Sequence, residues 1–320
     1  MSLPFSSEEV SVKGEWVIMP AIKIRDFTVV ISGKFLKIAA IKNEFYETEE
    51  VTDPLSIINV LKKSKPRTDI FTFSQKIPNS EPKFGYYYEL DNVAAIPISS
   101  FDDWWNNQIS SDKRKMIKRA YKRGVEVKLT PFDDNLVKGI MEIYNETPIR
   151  QGKRFWHYGK DFETVKKETA TDSDRSEFIG AYDKNELIGF MKIVYCGKSG
   201  NMNLILAKIK DRDKHTMSAL IAKGVEVCAK KGMSFLTYGK FVYGKKRGDT
   251  LTEFKRRLRF EKIDIPEYFI ALTRKGQIAI RLGFHHYPYN THRDARFPQN
   301  RICDTSPTQP HCLHALPKTN

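Results

Sequence analysis

Asn203-Leu-Ile-Leu-Ala-Lys-Ile-Lys-Asp-Arg-Asp-Lys-His-Thr-Met-Ser-Ala-Leu-Ile-Ala-Lys-Gly-Val-Glu-Val-Cys-Ala-Lys-Lys-Gly-Met-Ser-Phe-Leu-Thr-Tyr238 reads as strand, polar loop, helix, strand. Leu204 to Ile209 is an apolar run of strand length, and 210–216 is a very polar turn. From Met217 the period changes. Met217, Leu220, Ile221, Gly224, Val225 and Cys228 fall on one helical stripe. Thr216 is placed to cap the first turn, Lys230 and Lys231 suit the negative end of the helix dipole, and Gly232 sits where a terminating glycine belongs. Phe235 to Tyr238 is the next strand. A strand feeding a helix across a polar turn presents free N–H groups that can hold an anion, typically a pyrophosphate. An ordinary βαβ unit with a solvated turn fits the same residues.

Upstream of this stretch, Val125–Leu129 is a strand and Asp133–Tyr144 a helix stopped by Pro148. Asp161–Thr169 is a second helix. Phe178–Tyr182 and Leu187–Tyr195 then join it in an antiparallel meander with turns of hairpin length. Downstream, Thr250–Leu258 is a helix with Thr250 and Glu253 as a capping box, and Tyr268–Leu272 is a last strand. From Val125 the expected order is β–α–α–β–β–β–α–β–α–β.

The first hundred residues read as a separate α/β unit. Its strands are Glu15–Pro20, Phe27–Ser32, Phe35–Ala40, Ile70–Phe73 and Tyr86–Leu90, with one helix opened by Asp53 and Pro54. This unit carries no glycine-rich loop, metal spacing or catalytic cluster. Between the halves, Ser111 to Gly124 forms a helix with a narrow apolar face of Met116, Ile117, Ala120 and Tyr121. The remainder is Lys113, Arg114, Lys115, Lys118, Arg119, Lys122 and Arg123, either a clamp for phosphates or a solvated connecting face. The expected organisation is therefore 1–100, a connector 101–124, a second unit 125–287 and a disordered tail 288–320.

The net charge of +15 is unevenly placed. Residues 1–100 hold 12 Lys+Arg against 13 Asp+Glu, so the whole excess lies in the second part. Such a field favours anionic partners: a phosphate-rich cofactor, RNA or an acidic surface. No apolar run approaches membrane-spanning length and no signal segment is evident, so no membrane insertion is expected. Cys196, Cys228, Cys303 and Cys312 make no disulfide framework at this chain length, which points to a reducing, cytoplasmic compartment. Cys303, His311, Cys312 and His314 match no standard zinc-finger spacing, and no metal is expected.

The element order, with Arg114-Lys-Met-Ile-Lys-Arg-Ala120, Gly124-Val-Glu-Val127, Ala219-Leu220 and Leu251…Phe254-Lys255…Phe260, resembles the Fem-type branch of the GNAT N-acyltransferase superfamily. The resemblance implies an α/β fold of two tandem GNAT-like domains with mixed, mainly antiparallel sheets, the first domain degenerate. It also implies transfer of an acyl or aminoacyl group from acyl-coenzyme A or aminoacyl-tRNA to an amine acceptor, a small molecule or a peptide. The superfamily's donor loop, Arg/Gln-x-x-Gly-x-Gly/Ala, maps onto Arg212, His215 and Met217, so side chains stand in place of both glycines. The usual Gly-Phe after the late helix is Arg259-Phe260. By the same match the donor is held by Leu206, Ala207, Lys208, Arg212, Lys214, His215, Thr216, Met217 and Ser218, with a main-chain N–H near Leu206–Lys208 polarising its carbonyl.

Acyl transfer to an amine also needs a neutral amine and a proton donor for the leaving group. Tyr243, with Tyr238 second, falls where the resemblance places that donor. Glu146 is the candidate base. The chemically dense loop from Glu146 to Lys160 supplies His157 as a further proton-handling residue. Arg150, Gln151, Arg154, Trp156 and Tyr158 in the same loop are candidates for the acceptor pocket. The alternative is a non-catalytic RNA- or anion-binding protein on the same scaffold.

Overall fold

The structure, a computed structural model, describes residues 6–12, 15–44, 49–65, 67–150, 152–243 and 250–286. The tail and its Cys303, His311, Cys312 and His314 lie outside the described residues, as does Gln151. In chain order the first part comprises β1 (Ser6–Val12), β2 (Glu15–Ile24), β3 (Phe27–Ser32), β4 (Ile38–Ile41), α1 (Pro54–Lys63), β5 (Ile70–Ser74) and β6 (Tyr88–Pro97). A short α2 (Phe101–Asp103), a π turn over Trp104–Gln108 and α3 (Ser111–Lys122) follow. Next come β7 (Glu126–Thr130), α4 (Asp134–Tyr144), the two-residue strands β8 (Ile149–Arg150) and β9 (Lys153–Arg154), and α5 (Phe162–Thr169). The meander is β10 (Ser176–Asp183), β11 (Glu186–Cys196) and β12 (Ser199–Ala207). The chain continues with α6 (Thr216–Lys230), β13 (Phe235–Thr237), α7 (Thr250–Arg257), β14 (Glu261–Ala271), α8 (Arg274–Arg281) and a turn at Phe284–His286. Among the described residues no helix is long and apolar enough to cross a membrane.

The order expected from Val125 onward is observed, with the β8–β9 hairpin added. Asp53, Asp133 and Asp161 cap their helices as residue type demands, each accepting from the N–H three residues on, at 3.2, 2.8 and 2.8 Å. Several boundaries differ from expectation. Ser110, not Ser111, caps α3. Phe35 is 92 % exposed in the turn before β4 rather than in a strand. The strands expected at Tyr86–Leu90 and Tyr268–Leu272 are twice as long, because β6 and β14 pair along their lengths from Glu261↔Ala95 to Tyr268↔Tyr88. β1 and α8 were not legible as elements.

That pairing joins the two halves. All strands except β8 and β9 form a single sheet, β1-β2-β3-β4-β5-β14-β6-β13-β12-β11-β10-β7. β14, late in the chain, lies between β5 and β6. Only β4–β5 and β12–β13 are parallel. Mixed, mainly antiparallel sheets were expected; the sheet is mixed and mainly antiparallel, and it runs through both halves without a break.

The central helix α6 lies on this sheet with Ala219, Leu220, Ile221, Val225 and Cys228 fully buried against Ile193, Met202 and Ile205. Burial pushes the Cys228 thiol up to about 12, as suits an inert core thiol. The helix approaches closely because glycine faces it: a Cβ on Gly200 would sit 2.5 Å from Cys228 Sγ. Gly200→Ala should therefore cost about 1–3 kcal/mol in urea unfolding, and most of that loss should return in the Gly200→Ala/Cys228→Ala double variant.

Candidate active site

The site begins with a bulge. Along β11, Lys192 pairs with Leu204 but Ile193 pairs with Met202, so Asn203 is an extra residue in β12. A bulge of this kind bends its strand and sharpens the twist. On its other edge β12 meets β13 only over Ser199–Asn201 against Phe235–Thr237. Beyond that the two strands part. β13's chain continues along β6, through Tyr238 N–H to Ala94 O and Ala94 N–H to Gly239 O, both 2.8 Å. The last residues of β12 are left facing an opening.

At the apex of this opening two buried side chains close the sheet. The Thr237 hydroxyl donates to Asn201 Oδ1 at 2.6 Å, and Asn201 Nδ2 donates to Val194 O at 3.2 Å. At the far end, Lys208 N–H donates to Ile188 O at 2.8 Å. Strand alternation then turns the N–H and C=O of Ala207 the other way, into the opening.

A buried clamp fixes this end of β12. The Arg150 guanidinium donates to Ala207 O (3.1 Å), Ile143 O (3.0 Å) and Glu146 Oε2 (3.0 Å), and stacks on Phe155. The Glu146 carboxylate in turn accepts from Ile209 N–H (2.7 Å) and Lys210 N–H (2.9 Å). Glu146 and Arg150 thus tie the C-terminus of α4 to the first residues of the loop after β12. Both were expected to act on substrate; their contacts are with the chain itself.

The loop from Lys208 to His215 is pinned by further ion pairs. Lys208 reaches Glu186 (2.6 Å) and Glu142 (3.4 Å), and Lys210 reaches Glu186 (2.8 Å). Bonds from Lys208 and Lys210 hold the Glu186 carboxyl down at about 2. Lys214 pairs with Asp183 and Asp211, both at 2.6 Å, which pushes its ammonium above the usual range. Arg212 is exposed. Of the expected donor-holding cations, Lys208 and Lys214 are therefore committed to carboxylates.

His215, mapped by the resemblance onto a loop glycine, adopts the left-handed conformation, φ 56°. A histidine reaches this region more readily than most residues. His215, not Thr216, is the residue that precedes α6, and Thr216 turns inward, its Oγ1 buried without a hydrogen-bond partner. Gly189 makes room for it: a Cβ there would lie 2.8 Å from Thr216 Cγ2. Met217 packs against the main core. Ser218 is buried, and Ser218 N–H donates to His215 O at 3.1 Å.

The basic helix α3 borders the same loop. Arg123 bonds Asp213 at 3.1 Å. The charges of Arg123, Arg119 and Lys113 act on His215 and, after burial, lower its pKa. Arg114 is committed elsewhere, donating to Trp105 O, Asn106 O and Ile109 O of the π turn. The positive end of α6 and the positive side of α3 therefore meet at one place, which sequence distance concealed.

The opposite wall is the segment after β13. Tyr238 is buried and packs on Phe260. Tyr243 is half-buried. Its hydroxyl lies against Gly239, where a Cβ would be 2.6 Å away, and Lys255 Nζ sits 5.0 Å over its ring. Of the two tyrosines, Tyr243 is the one with access to solvent.

His157 is packed, not presented. Its ring stacks on Tyr144 at 4.2 Å beside Phe155 and Trp156, with Glu168 Oε2 3.7 Å from Nδ1. Burial lowers its pKa, and the Glu168 carboxylate only partly offsets this. Arg154 and Tyr158 are exposed, and Trp156 is half-buried. Arg150, in contrast, is buried.

No protein-family profile and no curated protein matches this sequence. Solved structures do match its fold. FemX superposes with a TM-score of 0.58 at 11 % identity, over 87 % of this chain and 90 % of its own. L-PGS from Bacillus licheniformis gives 0.55 at 13 % identity over 84 % and 87 %. A C-terminal domain from Agrobacterium fabrum, named for lysylphosphatidylglycerol synthetase, gives 0.54 at 11 % over 84 % and 89 %. The chain has the GNAT-like, Fem-type fold.

Two outcomes test this geometry. Arg150→Met should cost about 3–5 kcal/mol by stranding Glu146, whereas Glu146→Gln should speed amide exchange at Ile209 and Lys210 with a smaller loss. For His157 the folded pKa is depressed, so as pH falls below its usual 6.5 the unfolded chain gains a proton that the folded one resists. Stability should therefore fall between about pH 6.5 and 5, and His157→Phe should flatten that part of the urea-denaturation profile.

Proposed function

We propose that this protein transfers an acyl or aminoacyl group from an activated, phosphate-bearing donor to the amine of a small molecule or peptide. The observation that carries the reading is the parting of β12 from β13 beside the N-terminus of α6, with basic α3 at its mouth. In this reading the donor enters the opening with its phosphates toward His215–Met217, where helix N–H groups and the charges of Arg119 and Arg123 favour anions. Acyl-coenzyme A and aminoacyl-tRNA both offer such a handle, and both belong to a cytoplasmic setting.

The N–H of Ala207 is the group that polarises the donor carbonyl, because alternation directs it into the opening while Arg150 holds its own carbonyl. The amine lone pair attacks the carbonyl carbon, and the bond to the thioester sulfur or ester oxygen breaks. The proton leaving the amine nitrogen ends on that departing atom, passed through the Tyr243 hydroxyl. Glu146 acts here as a positioning residue. A second reading rests on α3: its exposed Lys115, Arg119 and Arg123 suit RNA held without chemistry.

Calorimetry with acyl-coenzyme A and with aminoacyl-tRNA, followed by turnover assays, tests both. One donor should bind with an affinity that falls as salt rises and drops about tenfold when Arg119 and Arg123 are both changed to Ala. Tyr243→Phe should lower kcat by about 100-fold or more at unchanged donor affinity. If neither donor binds, the transferase reading falls. RNA binding that Tyr243→Phe leaves untouched, without turnover, would establish the second reading.

A further inference from the structure

We propose that Glu89, His285 and His286 form a divalent-cation site of the zinc class, which clips the turn after α8 to β6. The site lies outside the candidate active site and does not depend on it. Glu89 Oε1 is 2.9 Å from His285 Nε2 and 3.2 Å from His286 Nε2, and the three atoms all lie within 4.8 Å of one another. Zinc bonds of roughly 2.0–2.2 Å at tetrahedral angles set neighbouring ligand atoms roughly 3.3–3.6 Å apart. Small shifts of the three side chains therefore admit the ion.

Two imidazoles and one carboxylate are a donor set zinc accepts, with a fourth position left to water. The geometry favours a point charge at this place. Both imidazole nitrogens and the Tyr87 hydroxyl converge on the same carboxylate oxygen of Glu89. In a loaded site Tyr87, at 2.9 Å, is the outer partner that orients the carboxylate. His285 is held rigidly, 1 % exposed and set edge-on to Phe269 at 4.6 Å. Glu89 and His286 keep 32 % and 42 % of their side chains in solvent, so the ion has a way in. The role is structural: the ion adds a cross-link between residues 196 positions apart. A plain hydrogen-bonded cluster of the same three side chains is the competing account.

The test is calorimetry with Zn2+, and the visible spectrum with Co2+, on full-length protein freed of metal. Zn2+ should bind and raise the melting temperature, and Co2+ should show tetrahedral absorption. Glu89→Gln and His286→Ala each should weaken Zn2+ binding at least about tenfold and abolish the rise in melting temperature. His286 is exposed, so its variant should fold, as circular dichroism would verify. The Cys303→Ser/Cys312→Ser variant should bind as before. No Zn2+ binding, binding indifferent to Glu89 and His286, or binding lost instead in the cysteine variant would overturn the proposal.

Discussion

The arrangement of the candidate site rests on one buried ion pair. Arg150 and Glu146, four residues apart beyond the end of α4, together take one carbonyl and two N–H groups at the junction of β12 and the loop that follows it. An isolated charge in so enclosed a place would be costly, and the pair is stable because nearly every polar direction is used. The strand end is thereby committed to one position. The free N–H of Ala207 then faces the opening by strand alternation alone.

The opening itself is a defect placed in an otherwise continuous sheet. Asn203 adds one residue to β12, the strand bends, and β13 follows β6 instead. Few sheets tolerate an internal gap, because unpaired backbone groups must find partners. Here Asn201 and Thr237 stitch the apex, and β14 reinforces the neighbouring edge by pairing with β5 and β6. The continuous sheet thus makes the two halves of the chain one mechanical unit around the gap.

Charge is distributed so that the loop stays folded and its mouth stays positive. Lys208, Lys210 and Lys214 are matched by Glu142, Glu186, Asp183 and Asp211, which order the loop without contributing to a net field. The positive field at its mouth comes from α3, whose Lys113, Arg119 and Arg123 act on His215 across the gap in sequence. His215, held in the left-handed conformation before α6, leaves this loop shaped by its side-chain contacts.

The sequence by itself determined the local pieces. Helix caps at Asp53, Asp133 and Asp161, the stripe from Met217 to Cys228 and the meander turns all depend on residues within one or two turns of each other. Their physics is complete in a short window. The candidate residues of the donor loop were legible in the same way, as a polar turn between a strand and a helix. What tertiary structure alone decided is what those residues face. Glu146 and Arg150 look like reactive groups until β12 arrives to occupy them, and His157 looks available until Tyr144 and Glu168 enclose it. Partners drawn from distant segments, as in β14 beside β6 or Glu89 beside His285, leave no periodic trace, because the energy that selects them comes from burial and pairing across the assembled sheet.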